Sequence, residues 1–322
     1  MFKHEEVTVG TFQFQPSRFI PFRDQEVIER VRNIKREDIE KREPHHHPEF
    51  KIRVVKDDMI SHIFVTDMFY RIMKSDQEDK PVVLICPNPN HGYRLVAHLI
   101  NRFRVNCRNV HIFNMDEFAD DAGNTAPESW PQGFMHAMKK YFYYEIDREL
   151  RMPEEQIQGP TSTNISYYGK MISDLGGADA CYSGPGWTGH IAFIDPDTDA
   201  FKASSLEEWK ALGPRILELN PFTVAQNSLH GCFGFSGDMA AVPPYAATIG
   251  PAQVIEAKYR MDTNALTTCG TKVSWQRFTT RLACHGPVTP QVPTSLLQSL
   301  PADFYISETS AMTIEPDWDM GY

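Results

Sequence analysis

The run Pro81-Val82-Val83-Leu84-Ile85-Cys86-Pro87-Asn88-Pro89-Asn90-His91-Gly92 decides the fold class. From Pro81 to Cys86 it carries no charge and no alternation of polar with apolar residues. A strand with one wet face alternates, so a continuous apolar run of this length reads as a strand buried on both faces, the mark of a parallel sheet. A proline- and asparagine-rich loop follows. After it Leu95, Val96, Leu99, Ile100 and Phe103 recur at helical spacing. The segment is therefore one strand–loop–helix unit.

The same unit repeats outward. Upstream, residues 51–55 read as a short strand, and residues 58–74 as a helix with Ile60, Ile63, Phe64, Met68 and Ile72 on one face. Downstream come strands at 109–113 and 178–182, with helices expected near 133–150 and 164–175. The pair Ser205-x-x-Glu208 makes a capping box for a short helix through Leu212. Strands are expected at 246–250, 265–269 and 304–307, and a helix at 275–282. Strands alternating with helices predict an α/β protein, a Rossmann-like three-layer sandwich with a mainly parallel central sheet. Ligands in such sheets bind beyond the carboxyl ends of the strands.

Residues 1–49 read as a partly helical extension before an α/β domain at 50–322. Within it, residues 24–42 are highly charged, with Val27, Val31 and Ile34 forming a narrow apolar stripe. His45, His46 and His47 read as a solvated linker. The 322 residues carry a net charge of −10, which disfavours nucleic acid and anionic membrane surfaces as partners. No apolar run approaches a membrane span, and the start Met1-Phe2-Lys3-His4 lacks the apolar centre of a signal peptide. Cys86, Cys107, Cys181, Cys232, Cys269 and Cys284 are scattered without paired spacing. They read as reduced thiols in a cytoplasmic protein, with no metal site.

Two acidic motifs fall at expected strand ends. One is Phe113-Asn114-Met115-Asp116-Glu117-Phe118. The other is Ser183-Gly184-Pro185-Gly186-Trp187-Thr188-Gly189-His190-Ile191-Ala192-Phe193-Ile194-Asp195-Pro196. The second packs glycines, which let backbone approach a ligand, beside a histidine and a carboxylate, the usual proton-moving pair.

These segments, with Pro127-Glu128-Ser129-Trp130 and Val242-Pro243 through Ala246 to Gly250, resemble the glucosamine-6-phosphate deaminase/isomerase family in order and spacing. The family's loop runs Gly-x-Gly-x-Asp-Gly-His-Ile-Ala-Phe-Asn-Glu-Pro. The resemblance implies an amino-sugar aldose–ketose isomerase that releases ammonia and needs no cofactor. Asp116 takes the place of the base that moves a proton from C2 to C1, with Glu117 as its neighbour. His190 takes the place of the ring-opening histidine. Two departures stand out. The family aspartate two residues before the histidine is Thr188, and the family glutamate is Asp195, expected to serve as the partner of His190.

The resemblance also implies that Asn88, Asn90, His91, Gly92, Gly184, Gly186, Thr188, Gly189 and Lys272 line the substrate site. Its phosphate end departs further. Small residues with free N–H groups are replaced by the 87–92 loop, where Pro89 has no N–H to give. Leu229 stands at the place of the phosphate-binding arginine, with His230 beside it. The expected partner is a small-molecule sugar, and the expected assembly a homo-oligomer. A lactone hydrolase of the related 6-phosphogluconolactonases and a non-catalytic sugar sensor are the alternatives.

Overall fold

The computed structural model describes residues 17–44, 46–266 and 274–317. In chain order its elements are α1 (Gln25–Arg32), β1 (Phe50–Val55), α2 (Met59–Glu78), β2 (Val82–Cys86), α3 (Gly92–Phe103), β3 (Val110–Asn114) and β4 (Asp116–Ala119). Then follow α4 (Phe134–Tyr141), β5 (Ile157–Gln158), α5 (Tyr168–Asp174), β6 (Ala180–Ser183), α6 (Leu206–Lys210), β7 (Arg215–Glu218) and α7 (Pro221–Asn227). The chain closes with β8 (Tyr245–Thr248), α8 (Pro251–Glu256), β9 (Arg260–Asn264), α9 (Arg277–His285), β10 (Ala302–Ser307) and α10 (Glu308–Ala311).

Seven strands form one sheet in the order β1-β10-β9-β6-β2-β3-β5, every pairing parallel. Strand β2 sits inside it, and its side chains split between the two faces. Val83 and Ile85 join one core with Phe50, Phe113, Cys181 and Phe304. Val82, Leu84 and Cys86 join another with Met68, Val96, Ile100 and Ile112. Both faces are dry, which is why β2 shows no alternation. The mainly parallel three-layer α/β fold read from the sequence is therefore the fold observed.

A second sheet, β4-β8-β7, is antiparallel. Its first strand begins immediately after β3 ends. Met115 makes the join: its N–H donates to Cys86 O at 3.0 Å, and its carbonyl accepts from Ile249 N at 2.8 Å. Strand β4 thus leaves the carboxyl edge of the main sheet carrying Asp116 at its first position.

The N-terminal segment is part of the main core. Val31 and Ile39 are fully buried there, beside Leu282, Cys284 and Leu297. Buried Arg281 ties it down, donating to Ile34 O at 2.9 Å and to Ala311 O at 2.8 Å. Helix α1 is shorter than the 24–42 expected. Asp24 caps its start by accepting from Val27 N, and Asn33 ends it, its amide donating back to Glu29 O at 2.9 Å. Helix α5 starts at Tyr168 rather than 164, because the Asn164 side chain turns back on Thr161 N and Gly159 O. At Ser205 only half of the capping box forms. Ser205 Oγ accepts from Glu208 N, whereas Glu208 Oε2 accepts from Ser204 N.

The strand expected at 265–269 is displaced. The strand is β9, and Ala265 and Leu266 lie beyond its end, while 267–269 are outside the described residues. Polar Arg260, Asp262 and Asn264 hid it. Each is buried, and each spends its polar atoms internally, as in Arg260 Nε donating to Val254 O at 2.7 Å. Among the described residues no helix is long and apolar enough to cross a membrane.

Candidate active site

The 183–196 loop leaves the end of β6 and is pinned from several sides. Ser183 Oγ donates to Asp262 Oδ2 at 2.6 Å, and Gln276 Nε2 to Pro185 O at 2.6 Å. Thr279 Oγ1 donates to Trp187 O, and Thr294 donates through N and Oγ1 to Gly189 O and His190 O. Two glycines are required for this path. Gly189 has φ +78°, a left-handed conformation that suits glycine. At Gly186 an added Cβ would lie 2.2 Å from Cε1 and Nε2 of His190. The histidine ring therefore occupies the space a side chain would need. Gly184 is equally close-fitted, its would-be Cβ lying 2.7 Å from Thr263 O.

His190 and Asp195 come together inside this loop. His190 Nδ1 is 3.0 Å from Asp195 Oδ1, and both side chains are buried. Two hydroxyls join them. Thr188 Oγ1 lies 2.9 Å from Nδ1 and donates to Oδ1 at 3.2 Å. Thr223 Oγ1 lies 3.1 Å from Nδ1 and donates to Oδ1 at 2.6 Å. Asp195 Oδ2 accepts from Asn220 N at 2.8 Å. The aspartate, one methylene shorter than a glutamate, is reached from the α7 side by its partners.

Asp116 is buried at the start of β4, paired in register with Thr248 of β8. Burial, reinforced by the neighbouring Glu117 charge, raises its proton affinity well above that of an ordinary aspartate. The Asp116 strand and the His190 loop share an aromatic cluster. Phe118, Phe134, Phe193 and Phe233 pack together, with Phe193 also against the His190 ring. Phe193 N donates to Thr248 Oγ1 at 3.1 Å, a direct tie between loop and small sheet.

Glu117 faces away from any open space. Its carboxylate accepts from Phe118 N, Phe134 N and Met135 N at 2.8–3.0 Å, so it fastens the start of α4 to β4. Burial still raises it to about 7 against the pull of those donors.

At the other end of the site, Asn88 Nδ2 donates to Asn114 Oδ1 at 3.0 Å, two residues before Asp116. Asn88 Oδ1 is buried and has no partner among the described residues. Asn90 Oδ1 accepts from Gly92 N at 2.8 Å, which takes up the N–H at the start of α3. Gly92 is small for packing reasons as well, since a Cβ there would lie 2.8 Å from the Phe64 ring. His91 is exposed. Lys272 lies outside the described residues. His230 is held neutral, lowered to about 4 by burial and by the field of nearby His190, and its Nδ1 has no partner among the described residues.

Sequence reasoning missed Thr223, Asn220 and Gln226. Gln226 Oε1 accepts from Trp187 N at 2.7 Å and supports the 183–196 loop from α7. The pair Asn220-Pro221 was the available signal. It starts a helix, with Asn220 Oδ1 accepting from Phe222 N, and this turns Thr223 toward Asp195.

The fold is shared with two groups of solved structures. The chain shares its fold with a monomeric glucosamine-6-phosphate deaminase described as a missing link of the NagB superfamily. The TM-score is 0.64 at 18% identity, covering 82% of this chain and 100% of that one. It also shares it with 6-phosphogluconolactonases, such as that of Leishmania guyanensis, at a TM-score of 0.56 and 12% identity, covering 83% of this chain and 99% of that one. No family model matches the chain.

Among curated proteins the chain is similar to glucosamine-6-phosphate deaminases. It is 32% identical over 187 residues to that of Phocaeicola vulgatus, covering 56% of this chain and 63% of the relative. It is 32% identical over 190 residues to that of Mannheimia succiniciproducens, covering 56% and 62%. The resemblance read from the motifs is thus borne out, over somewhat less than two thirds of those relatives' length.

Proposed function

We propose that the protein is an amino-sugar aldose–ketose isomerase and deaminase, with Asp116 as the carbon base. The observation that carries this reading is the buried carboxylate of Asp116, raised in proton affinity, in the same site as the His190–Asp195 pair. A base that removes a proton from carbon works best with a pKa near the operating pH. His190, with its Nδ1 side held by Asp195, offers Nε2 beside Gly186. It takes the proton of the anomeric hydroxyl and gives one to the ring oxygen, opening the ring. Asp116 then takes the C2 proton and returns it to C1, while a proton of the C2 amine passes to O1, leaving an imine at C2. Addition of water and loss of ammonia give the ketose. Glu117 acts by holding β4 and α4 together beside that base.

Three groups at the phosphate end are neutral or already engaged. Leu229 replaces a cation, Gly92 N–H is already engaged, and His230 is uncharged. A dianion bound there lacks charge-assisted hydrogen bonds, each worth roughly 1.5–3 kcal/mol. Both an amino sugar and its 6-phosphate are therefore candidate substrates.

The test is proton NMR in D₂O with glucosamine, glucosamine 6-phosphate and their galacto isomers, followed by an ammonia assay. Loss of the C2 proton signal is expected with one of them, reduced about 100-fold or more in Asp116→Asn. The acidic limb of the pH–rate profile is expected above the range of an ordinary aspartate. Lactone hydrolysis, favoured by the fold shared with 6-phosphogluconolactonases, is the second reading. Turnover of a sugar lactone that survives Asp116→Asn would replace the first.

Self-association is supported by exposed Tyr70, Leu95 and Phe103 on α2 and α3. A fold neighbour is a monomer, so a single-chain mass by light scattering is the result that would overturn it. A cytoplasmic setting is supported by the buried, unbridged Cys86, Cys107, Cys181 and Cys284.

A further inference from the structure

We infer that Thr223 is a positioning residue for the reaction, fixing the tautomer of His190 through Asp195. This rests on the reading of His190 as a proton-transfer group. A threonine hydroxyl has one proton and lone pairs to spare. The proton of Thr223 is committed to Asp195 Oδ1 at 2.6 Å, the shortest hydrogen bond that carboxylate makes. Thr188 Oγ1 stands between the same oxygen, at 3.2 Å, and His190 Nδ1, at 2.9 Å.

Around His190 Nδ1, at 3.0–3.1 Å, therefore stand two oxygens that have no proton left to offer, those of Asp195 and Thr223. Only a protonated Nδ1 satisfies them. The ring nitrogen beside Gly186 is then Nε2 with its lone pair free, the form that can take a proton from a hydroxyl. Thr188 shares this role from the loop itself. Thr223 reaches in from α7, is fully buried, and makes the shorter bond to the carboxylate. The carboxylate charge that an aspartate at position 188 would supply is thus replaced by two aligned hydroxyl dipoles and the Asn220 N–H.

The experiment uses the full chain with ¹⁵N-labelled histidine, the His190 signals being identified by their loss in His190→Gln. Wild type is expected to show protonated Nδ1 and bare Nε2. Thr223→Val, which keeps the shape and removes the hydroxyl, is expected to give a mixture of tautomers. Its kcat should fall about 10-fold while KM moves less than about 2-fold. Thr223→Ser should restore both readings.

Thr223→Cys, with a weak donor of similar size, serves as the second variant should the valine protein fail to fold; it is expected to fall between wild type and valine. A wild-type ring protonated on Nε2, or valine and cysteine variants with unchanged tautomer and kcat, would overturn the assignment. Because the ¹⁵N shifts need no substrate, they test it even if none of the amino sugars reacts.

Discussion

At the scale of single residues, burial raises three carboxylates in and beside the site. Glu117 is raised to about 7 and Asp262 to about 6, both by burial, and Asp116 moves the same way. Each binds its proton more tightly in the native chain than in the unfolded one. Between about pH 4 and pH 7 the native state therefore holds more protons, and stability falls as pH rises through that window. Glu117→Gln is expected to flatten this slope. It also keeps one oxygen for Phe118 N and Phe134 N but puts an amide NH2 where Met135 N finds its acceptor, lowering stability by about 1–3 kcal/mol. Urea unfolding of both proteins across pH 4.5–7.5 checks the two effects together. Asp116 and His190 were legible in the sequence because they stand in contiguous motifs. Thr223 was not, since its partner Asp195 lies 28 positions away and nothing in a single sequence marks such a pair.

At the scale of elements, the 183–196 loop shows what glycine is for. Gly186 gives up its side chain to the His190 ring. Gly186→Ala is expected to displace that ring and to lower kcat by about 100-fold, the size of a misplacement near 1 Å. Thermal unfolding should change little by comparison, because the loop remains pinned by Gln276 and Thr294. Steady-state rates beside a melting curve separate the two. Apolar strands such as β2 were readable from composition alone. Strand β9 was not, because four of its five side chains are polar and are satisfied inside the protein. The small β4-β8-β7 sheet was also hidden, since antiparallel pairing between residues about 130 positions apart leaves no local period.

At the scale of the whole molecule, the first described residues are bound into the core they precede. Ile39 is fully buried, and its carbonyl lies 2.8 Å from His285 Nε2. Ile39→Ala is expected to cost about 2–5 kcal/mol, as for any large-to-small change in a tight core. A loss below 1 kcal/mol in chemical unfolding would show that the segment rides on the domain without supporting it. The parallel topology itself was legible, because strand–helix alternation has few alternative solutions.

The groups of the site hang from three separate supports. Asp116 belongs to the small antiparallel sheet, His190 to the loop after β6, and Asn88 to Asn90 to the turn before α3. The supports are tied to one another, Phe193 N to Thr248 Oγ1 and Asn88 Nδ2 to Asn114 Oδ1, and the last contributes no residue to either sheet. The 87–92 turn meets the strand before Asp116 through Asn88, and the hydrogen bonds that hold His190 and Asp195 come from residues 188, 220 and 223. On the proposed function, a lineage with this architecture can change its diet while keeping its chemistry.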